Sequence, residues 1–499
     1  MLPQSWLSTM AKLLLAAIVV FAVVQGGDIV NRIMAWLSPR RVMLAVQQFK
    51  TLGDDREARP LAEIVREEIF TRLSALHSQR LGVTELTATE SELSFEQVCD
   101  HSDPKPTYVL AGAVRREGDH MIVTDQFVLC RDQTGIVGDK HQVDPKGPTG
   151  AFVDDIVRNI LAALPKDVQP KDAQLAHTVD PKAYEAYLKG RLLWNRRTTQ
   201  SLTDAISSFQ EAIAYDGTYA PAYAGLADCY ALLGSLPYTA LPPNQAFPKA
   251  EANAQKALAL DERLAEAHVS LGYSALVYDW NYAAAEKEFK RAIELRPDYA
   301  TAHQYYAYYL TAMGDLNQAI AERKRAVSIE PRTPLLNTAL GEAYYQAKQF
   351  RESIGSDLTA LSLDPSYAVA VINVGRAYEQ QAMYPQALHA YQSILAFAPT
   401  DPALLGLLGH LDAVSGQPAA ARKIISRLQQ MSRNRYVPSL YIAMVYTGLG
   451  DKNEAFAWLD KAYAERCEYL VYLPTDPMAD PLRSDPRFPV LLGRLGLKK

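Results

Sequence analysis

Prolines stand at Pro297, Pro331, Pro365 and Pro399, each 34 residues after the last. A composition of 29 prolines in 499 residues does not produce such spacing by chance. Other residues keep the same step. Small side chains recur at Ala285, Ala319, Ser353 and Ala387, and again at Ala292, Ala326 and Ala360, with Ile394 in the next slot. Glycines fall at Gly341, Gly375 and Gly409. A fixed period of this length means one supersecondary unit copied along the chain. A lone unit cannot bury its apolar face, so successive units must stack into a solenoid.

The segment Leu340-Gly341-x-x-Tyr344…Ser353…Ala360…Pro365 resembles the tetratricopeptide repeat, a helix-turn-helix of this period. Its logic follows from side-chain size. Glycine or alanine on the first helix lets the neighbouring helix approach, the small residue early in the second helix does the same, and proline stops the second helix. Asp180-Pro181-Lys182-Ala183-Tyr184 opens a first unit, with a long loop expected over Asn195 to Ser201. The second unit carries the insertion SLPYTALPPNQAF, and in the third one extra residue moves Gly272 off the glycine lattice. Decay toward the carboxy terminus fits a capping unit, giving about seven or eight repeats.

Residues 42–165 read differently. MLAVQQF (43–49) is a buried strand, and Leu61 to Leu76 has the apolar period of an amphipathic helix. Leu81 to Leu86 is a second strand, followed by a short helix over Ser91 to Val98. YVLAGAV and MIVTDQFVL flank Arg115 to His120 as a hairpin around a Gly-Asp turn, with an edge strand over Ile136 to Val143 and a last helix over Phe152 to Leu164. This order, and YVLAGAVRREGDHMIVTDQFV above all, resembles the amino-terminal domain of TolB-type proteins. The arrangement of the whole chain is similar to the sensory half of membrane-bound CadC-like regulators and of TolB/tetratricopeptide adenylate cyclases. In those families a membrane span precedes the domain and the repeats face the periplasm. About a dozen residues precede the apolar run here, so the DNA-binding or cyclase activity of such proteins is not expected of this chain.

That run is LLLAAIVVFAVV (13–24), which extends back to Trp6 with Lys12 inside. Ile29, Val30, Ile33, Met34, Trp36 and Leu37 then form one apolar helical stripe. A signal-anchor, a cleaved signal peptide and a buried helix are the three readings. The first is preferred, because no A-x-A cleavage site follows and nothing precedes the run for it to pack against. The arginines after the span (Arg32, Arg40, Arg41) favour a cytoplasmic carboxy-terminal part, whereas the resemblance favours the periplasm of a bacterial inner-membrane protein. The charge difference is small, so export is the expectation.

The expected architecture is therefore mainly α: a transmembrane signal-anchor and juxtamembrane helix at 1–41, a TolB-like α/β domain at 42–165, a linker at 166–178, an α-solenoid of tetratricopeptide repeats at 179–474 and a capping tail at 475–499. A net charge of −5 disfavours a nucleic-acid partner. No P-loop, dinucleotide fingerprint or H-E-x-x-H is present, no cofactor or metal is implied, and no enzyme activity is expected. The four cysteines (Cys99, Cys130, Cys229, Cys467) show no metal spacing. Cys99 and Cys130 read either as two buried thiols, the ordinary case, or as a disulfide in an oxidising compartment. Cys229 and Cys467 read as helical core residues.

Function rests on a protein or peptide partner, since arrays of this family bind partners along the concave face of their first helices. By the family's pattern, the groove positions are Tyr273, Gln304, Tyr308, Thr311, Thr338, Glu342, Tyr345, Asn373, Arg376, Glu379 and Gln380. Aromatic and amide side chains suit an extended peptide. Tyr305, Tyr306 and Tyr309 read instead as contacts between repeats. A scaffold or sensor is the expected role, with the receptor half of a signalling system as the alternative.

Overall fold

A computed structural model describes residues 42–53, 55, 58–75, 81–86, 93–101, 105–144, 150–166, 168, 180–236, 238 and 240–497. The expected signal-anchor at 1–41 lies outside them. Among the described residues no helix is long and apolar enough to cross a membrane.

The amino-terminal part is a mixed sheet with helices on both faces. Its strands are β1 (Val42–Val46), β2 (Lys50–Leu52), β3 (Leu81–Glu85), β4 (Tyr108–Glu117), β5 (His120–Leu129) and β6 (Thr134–Val143). Helices α1 (Ala58–Ala75), α2 (Phe95–His101) and α3 (Gly150–Ala163) connect or follow them. The order across the sheet is β3-β1-β4-β5-β6, with β2 also paired to β4. The run expected as one strand, 43–49, is broken at 47–49: β1 pairs with both β3 and β4, while β2 pairs with β4 alone. Strand alternation sets the two faces. Leu44, Val46 and Leu110 join Val65, Ile69, Ile156 and Ile160 of α1 and α3 on one side. Ala45 and Val109 meet Val98 and Cys99 of α2 on the other. Gly118 takes φ 66 in the two-residue turn between β4 and β5, a conformation that disfavours a Cβ.

Helices from Pro181 onward form eight antiparallel pairs. The first five are α4 (Pro181–Asn195) with α5 (Thr199–Tyr215), α6 (Ala220–Leu233) with α7 (Pro243–Leu260), α8 (Ala265–Ser274) with α9 (Tyr282–Leu295), α10 (Ala300–Ala312) with α11 (Leu316–Ile329), and α12 (Pro334–Gln346) with α13 (Phe350–Leu363). Then come α14 (Ala368–Gln380) with α15 (Tyr384–Leu395), α16 (Pro402–Val414) with α17 (Pro418–Met431), and α18 (Ser439–Gly448) with α19 (Lys452–Ala464). The small residues of the lattice lie at the helix contacts. Ala285, Ala319, Ser353, Ala387 and Ala421 are fully buried, and so are Ala292 and Ala360. A large side chain sits four positions after the first of these and lies against the first helix. A Cβ added to Gly272 would fall 2.7 Å from Phe289, and one on Gly375 2.6 Å from Tyr391.

Two sequence expectations change here. The extra residue near Gly272 is absorbed by a π-helical turn, Ala275–Asp279, which holds one more residue than an α-turn and restores the phase of α9. The long loop expected at Asn195 to Ser201 is a three-residue link. Arg197 takes φ 51 there, and Thr198 and Ser201 form a capping box.

The array curls until its early units meet its last. The Leu236 carbonyl accepts from Tyr441 Oη at 3.3 Å, the Tyr278 carbonyl accepts from Arg466 at 3.1 Å, and Trp280 lies 4.7 Å from Tyr463. Two 3-10 turns, Glu468–Tyr472 and Pro477–Leu482, then enter the centre, and α20 (Arg487–Arg494) closes the chain. Cys467 is thus not in a helix; it precedes the first 3-10 turn, fully covered.

Candidate partner-binding site

The concave face holds the chain's own carboxy-terminal segment. Glu468 is buried there. It accepts from Tyr273 Oη at 2.6 Å and from the Leu236 amide at 2.8 Å. Tyr469 Oη accepts from Arg376 at 2.9 Å, and Tyr472 lies 6.0 Å from Tyr308. Leu470 and Val471 between them are fully buried. Lys348 and Asp480 form an ion pair at the rim, at 2.5 Å.

The structure therefore brings most of the expected groove positions together, but under cover. Tyr273 and Arg376 bond the segment directly. Tyr308 carries the Arg323 guanidinium 4.1 Å from its ring centre, and Tyr345 carries that of Arg376 at 4.3 Å. Thr311 is buried and donates to the Ala307 carbonyl at 2.9 Å. Glu379 is buried between Tyr391, which donates to it at 2.9 Å, and His410. Thr338 is buried, and Glu342, Asn373 and Gln380 are half-buried. Gln304, also buried, instead borders a second cavity described below. Of the three tyrosines expected between repeats, Tyr309 is buried and Tyr305 stacks edge-on with Tyr273 at 5.0 Å.

Two charged residues occupy the core slot of the large side chain. Arg323 and Asp357 stand where Phe289 and Tyr391 stand in neighbouring units. Arg323 is tolerated by stacking on Tyr308. Asp357 faces Gly341, with the Asn373 and Thr338 side chains close to its carboxylate. Burial pushes its carboxyl up to about 8; Glu342 adds repulsion, and Asn373, Arg376 and Thr338 only partly oppose it.

The larger opening is between the two parts of the molecule. Helix α1 rests on α4: Arg72 Nε donates to Tyr184 Oη at 3.0 Å, Asn195 donates to Glu67 at 2.8 Å, and Arg196 pairs with Glu63 at 3.5 Å. Beside this contact lies a cleft of about 1310 Å³, lined by β2 and α1 on one side and by the end of α4 and the starts of α10, α12 and α14 on the other. Lys50, Arg59, Arg66, Arg196, Arg197 and Arg332 supply its positive charge. The sequence hid this site because its walls come from segments up to about three hundred residues apart, none of which carries a motif.

The disulfide alternative is the one observed. Cys99 and Cys130 are bonded, with Cα atoms 5.2 Å apart, joining α2 to the end of β5. Cys229 and Cys467 are free and buried, and burial raises both thiols well above the usual range. Among the described residues no three His, Cys, Asp or Glu side chains converge as metal ligands.

The paired helices, their 34-residue step and the small-on-large contacts between them decide the fold. The array is an α-solenoid of tetratricopeptide-like helix pairs. No family model matches the chain. The transcriptional regulator HilA of Salmonella typhimurium is 22% identical over 317 residues, covering 63% of this chain and 57% of the regulator. Superkiller protein 3 of Schizosaccharomyces pombe is 22% identical over 363 residues, covering 72% of this chain and 23% of that protein. The present chain thus spans little more than half of the first relative and about a quarter of the second. Among solved structures, the human IFIT1 dimer with PPP-AAAA aligns at a TM-score of 0.43 and 17% identity, over 63% of this chain and 77% of its own. TTC0263, a thermophilic TPR protein of Thermus thermophilus, aligns at 0.34 and 20% identity, over 39% and 98%.

Proposed function

We propose that this chain is a non-enzymatic interaction scaffold, held at the inner membrane of a Gram-negative bacterium by residues 1–41, with its α/β domain and repeats in the periplasm. The observation that carries the scaffold reading is the cleft between the two domains. It is large enough for a polypeptide segment, it is bordered by both parts of the molecule, and the concave face is already filled by the chain itself. The apolar run at 13–24 supports anchoring, and the Cys99–Cys130 bond suits an oxidising compartment. The resemblance of residues 42–165 to the amino-terminal domain of TolB-type proteins, read from the sequence, supports this placement. Crosslinking of the full chain in native membranes, followed by affinity recovery, tests the role. A specific protein should be enriched over an uncrosslinked control, and its absence from repeated recoveries would sink the reading.

A second reading has one observation in its favour. HilA, named a transcriptional regulator, matches 63% of this chain. On that reading the chain is the receptor half of a regulatory system whose output domain lies on another polypeptide. A DNA-binding protein among the crosslinked partners would favour it.

A further inference from the structure

The edge of β2 faces the interdomain cleft. β2 is parallel to β4, with Lys50 opposite Ala113 and Leu52 opposite Arg115. β3 ends at Glu85 opposite Val46, so among the described residues no strand lies beside the outer edge of β2. That edge offers backbone donors and acceptors to an added strand. Leu52, at 53% exposure, presents an apolar side chain beside it.

The charge around this edge is uneven. Six cations line the cleft against four carboxylates, Glu63, Glu67, Glu330 and Asp364, a surplus of two in a chain whose net charge is −5. Lys50 and Arg59 are exposed and have no ion pair among the described residues. Across the cleft, α10, α12 and α14 begin at Tyr299, Thr333 and Tyr367, none of which caps its helix with a side chain. Three positive helix ends therefore share the far wall. Trp194, 8% exposed, lines the same cleft, and its buried indole N–H has no acceptor among the described residues.

We infer that the cleft takes an extended acidic segment of a partner protein, which adds as a strand to the outer edge of β2. The inference rests on the scaffold reading above and names the chemistry of its partner. Backbone bonds to β2 would supply register, and glutamate or aspartate on alternate residues would meet Lys50 and Arg59. A single-stranded nucleic acid is the other polyanion of suitable width. The four carboxylates in the cleft would repel a continuous phosphate chain, and a bare strand edge gives it nothing to pair with.

The full chain can be titrated with a fluorescein-labelled peptide of alternating glutamate and threonine, and with the same peptide carrying lysine for glutamate. The glutamate peptide should bind by anisotropy and slow amide exchange at Lys50–Leu52. The lysine peptide should bind on the order of tenfold more weakly. Lys50→Glu with Arg59→Glu should weaken the glutamate peptide by a similar factor and leave the thermal melt in place, because neither side chain supports the fold. Thr51→Pro should also reduce binding by blocking the edge; if it fails to fold, the charge-reversed chain still decides. Several results would overturn the inference: no binding of the glutamate peptide, equal binding of both peptides, unchanged exchange at β2, or displacement by an oligothymidylate at lower concentration. If the crosslinked partner is recovered undiminished by the charge-reversed chain, the docking surface lies elsewhere and the scaffold reading stands. If the unmodified chain recovers none, the scaffold reading itself fails.

Discussion

Tyr273 donates its hydroxyl hydrogen to Glu468 at 2.6 Å, joining residues 195 apart in the chain. The same carboxylate takes the Leu236 amide, so one side chain ties the second and third repeat units to the segment that fills the centre. Removing it takes the acceptor from the buried Leu236 amide and leaves the Tyr273 hydroxyl only Ser235 Oγ at 3.2 Å. Glu468→Ala should therefore lower unfolding free energy by about 2–4 kcal/mol, and Glu468→Gln, which keeps one acceptor, by less. Chemical denaturation followed by circular dichroism measures both. An unchanged midpoint for the alanine variant would mean that the segment is a loosely held plug rather than part of the core.

Asp357 should make the array sensitive to alkali. Its carboxyl releases a proton near the ordinary 3.8 in the unfolded chain but only at about 8 in the fold. Between those values the folded state holds the extra proton. Its contribution to stability is complete below about pH 4 and is lost as pH rises through 8. From pH 6 to pH 9 the array should lose about 3 kcal/mol from this group. Asp357→Asn, which cannot ionise, should flatten that slope. Urea midpoints at the two pH values check it; parallel slopes in both proteins would refute the assignment.

Two helical glycines of the array should respond in opposite directions. Gly375 sits against Tyr391, where a Cβ would come within 2.6 Å of the ring. Gly375→Ala should destabilise by about 1–3 kcal/mol. Gly355 lies mid-helix in α13 with open space around it, so Gly355→Ala should stabilise by about 0.5–1 kcal/mol. Thermal melts of the two variants side by side test the contact map of the repeats.

What the sequence revealed follows from the range of each interaction. Ala285, Phe289 and Ala292 form a local pattern repeated every 34 residues, so the stacking was legible wherever the step held. It stayed legible even where Arg323 and Asp357 replaced the aromatic, because the small neighbours remained. The glycine displaced to 272 announced an irregularity whose form, a π-turn, depends on the backbone. The carboxy-terminal segment was not legible. Glu468 within an otherwise apolar stretch looks like a surface residue, and its partners, Leu236 and Tyr273, lie in the second and third helix pairs, about two hundred residues earlier. The expected groove positions follow the family's pattern within each helix pair, whereas what covers them depends on how far the solenoid curls. The Cys99–Cys130 pair was legible as proximity alone; the bond was one of two readings that proximity allows.

Membrane orientation remains the sharpest test of the proposed role. The arginines that follow the apolar run favour a cytoplasmic carboxy terminus, whereas the disulfide and the proposed resemblance to TolB-type proteins favour the periplasm. Alkaline phosphatase fused after Lys499 should be active and green fluorescent protein in the same place dark. The disulfide adds a second readout from the same cells. Its loop spans 31 residues, which a chain-entropy estimate values at about 4 kcal/mol, confined to the α/β domain because both cysteines lie there. Reduction, or Cys99→Ser with Cys130→Ser, should then lower the unfolding transition of the sheet and leave that of the repeats in place. Alkylation of rapidly quenched cells should find Cys99 and Cys130 blocked. If phosphatase is inactive, the fluorescent fusion bright and both thiols alkylated, the domain is cytoplasmic and the acidic partner must be sought there.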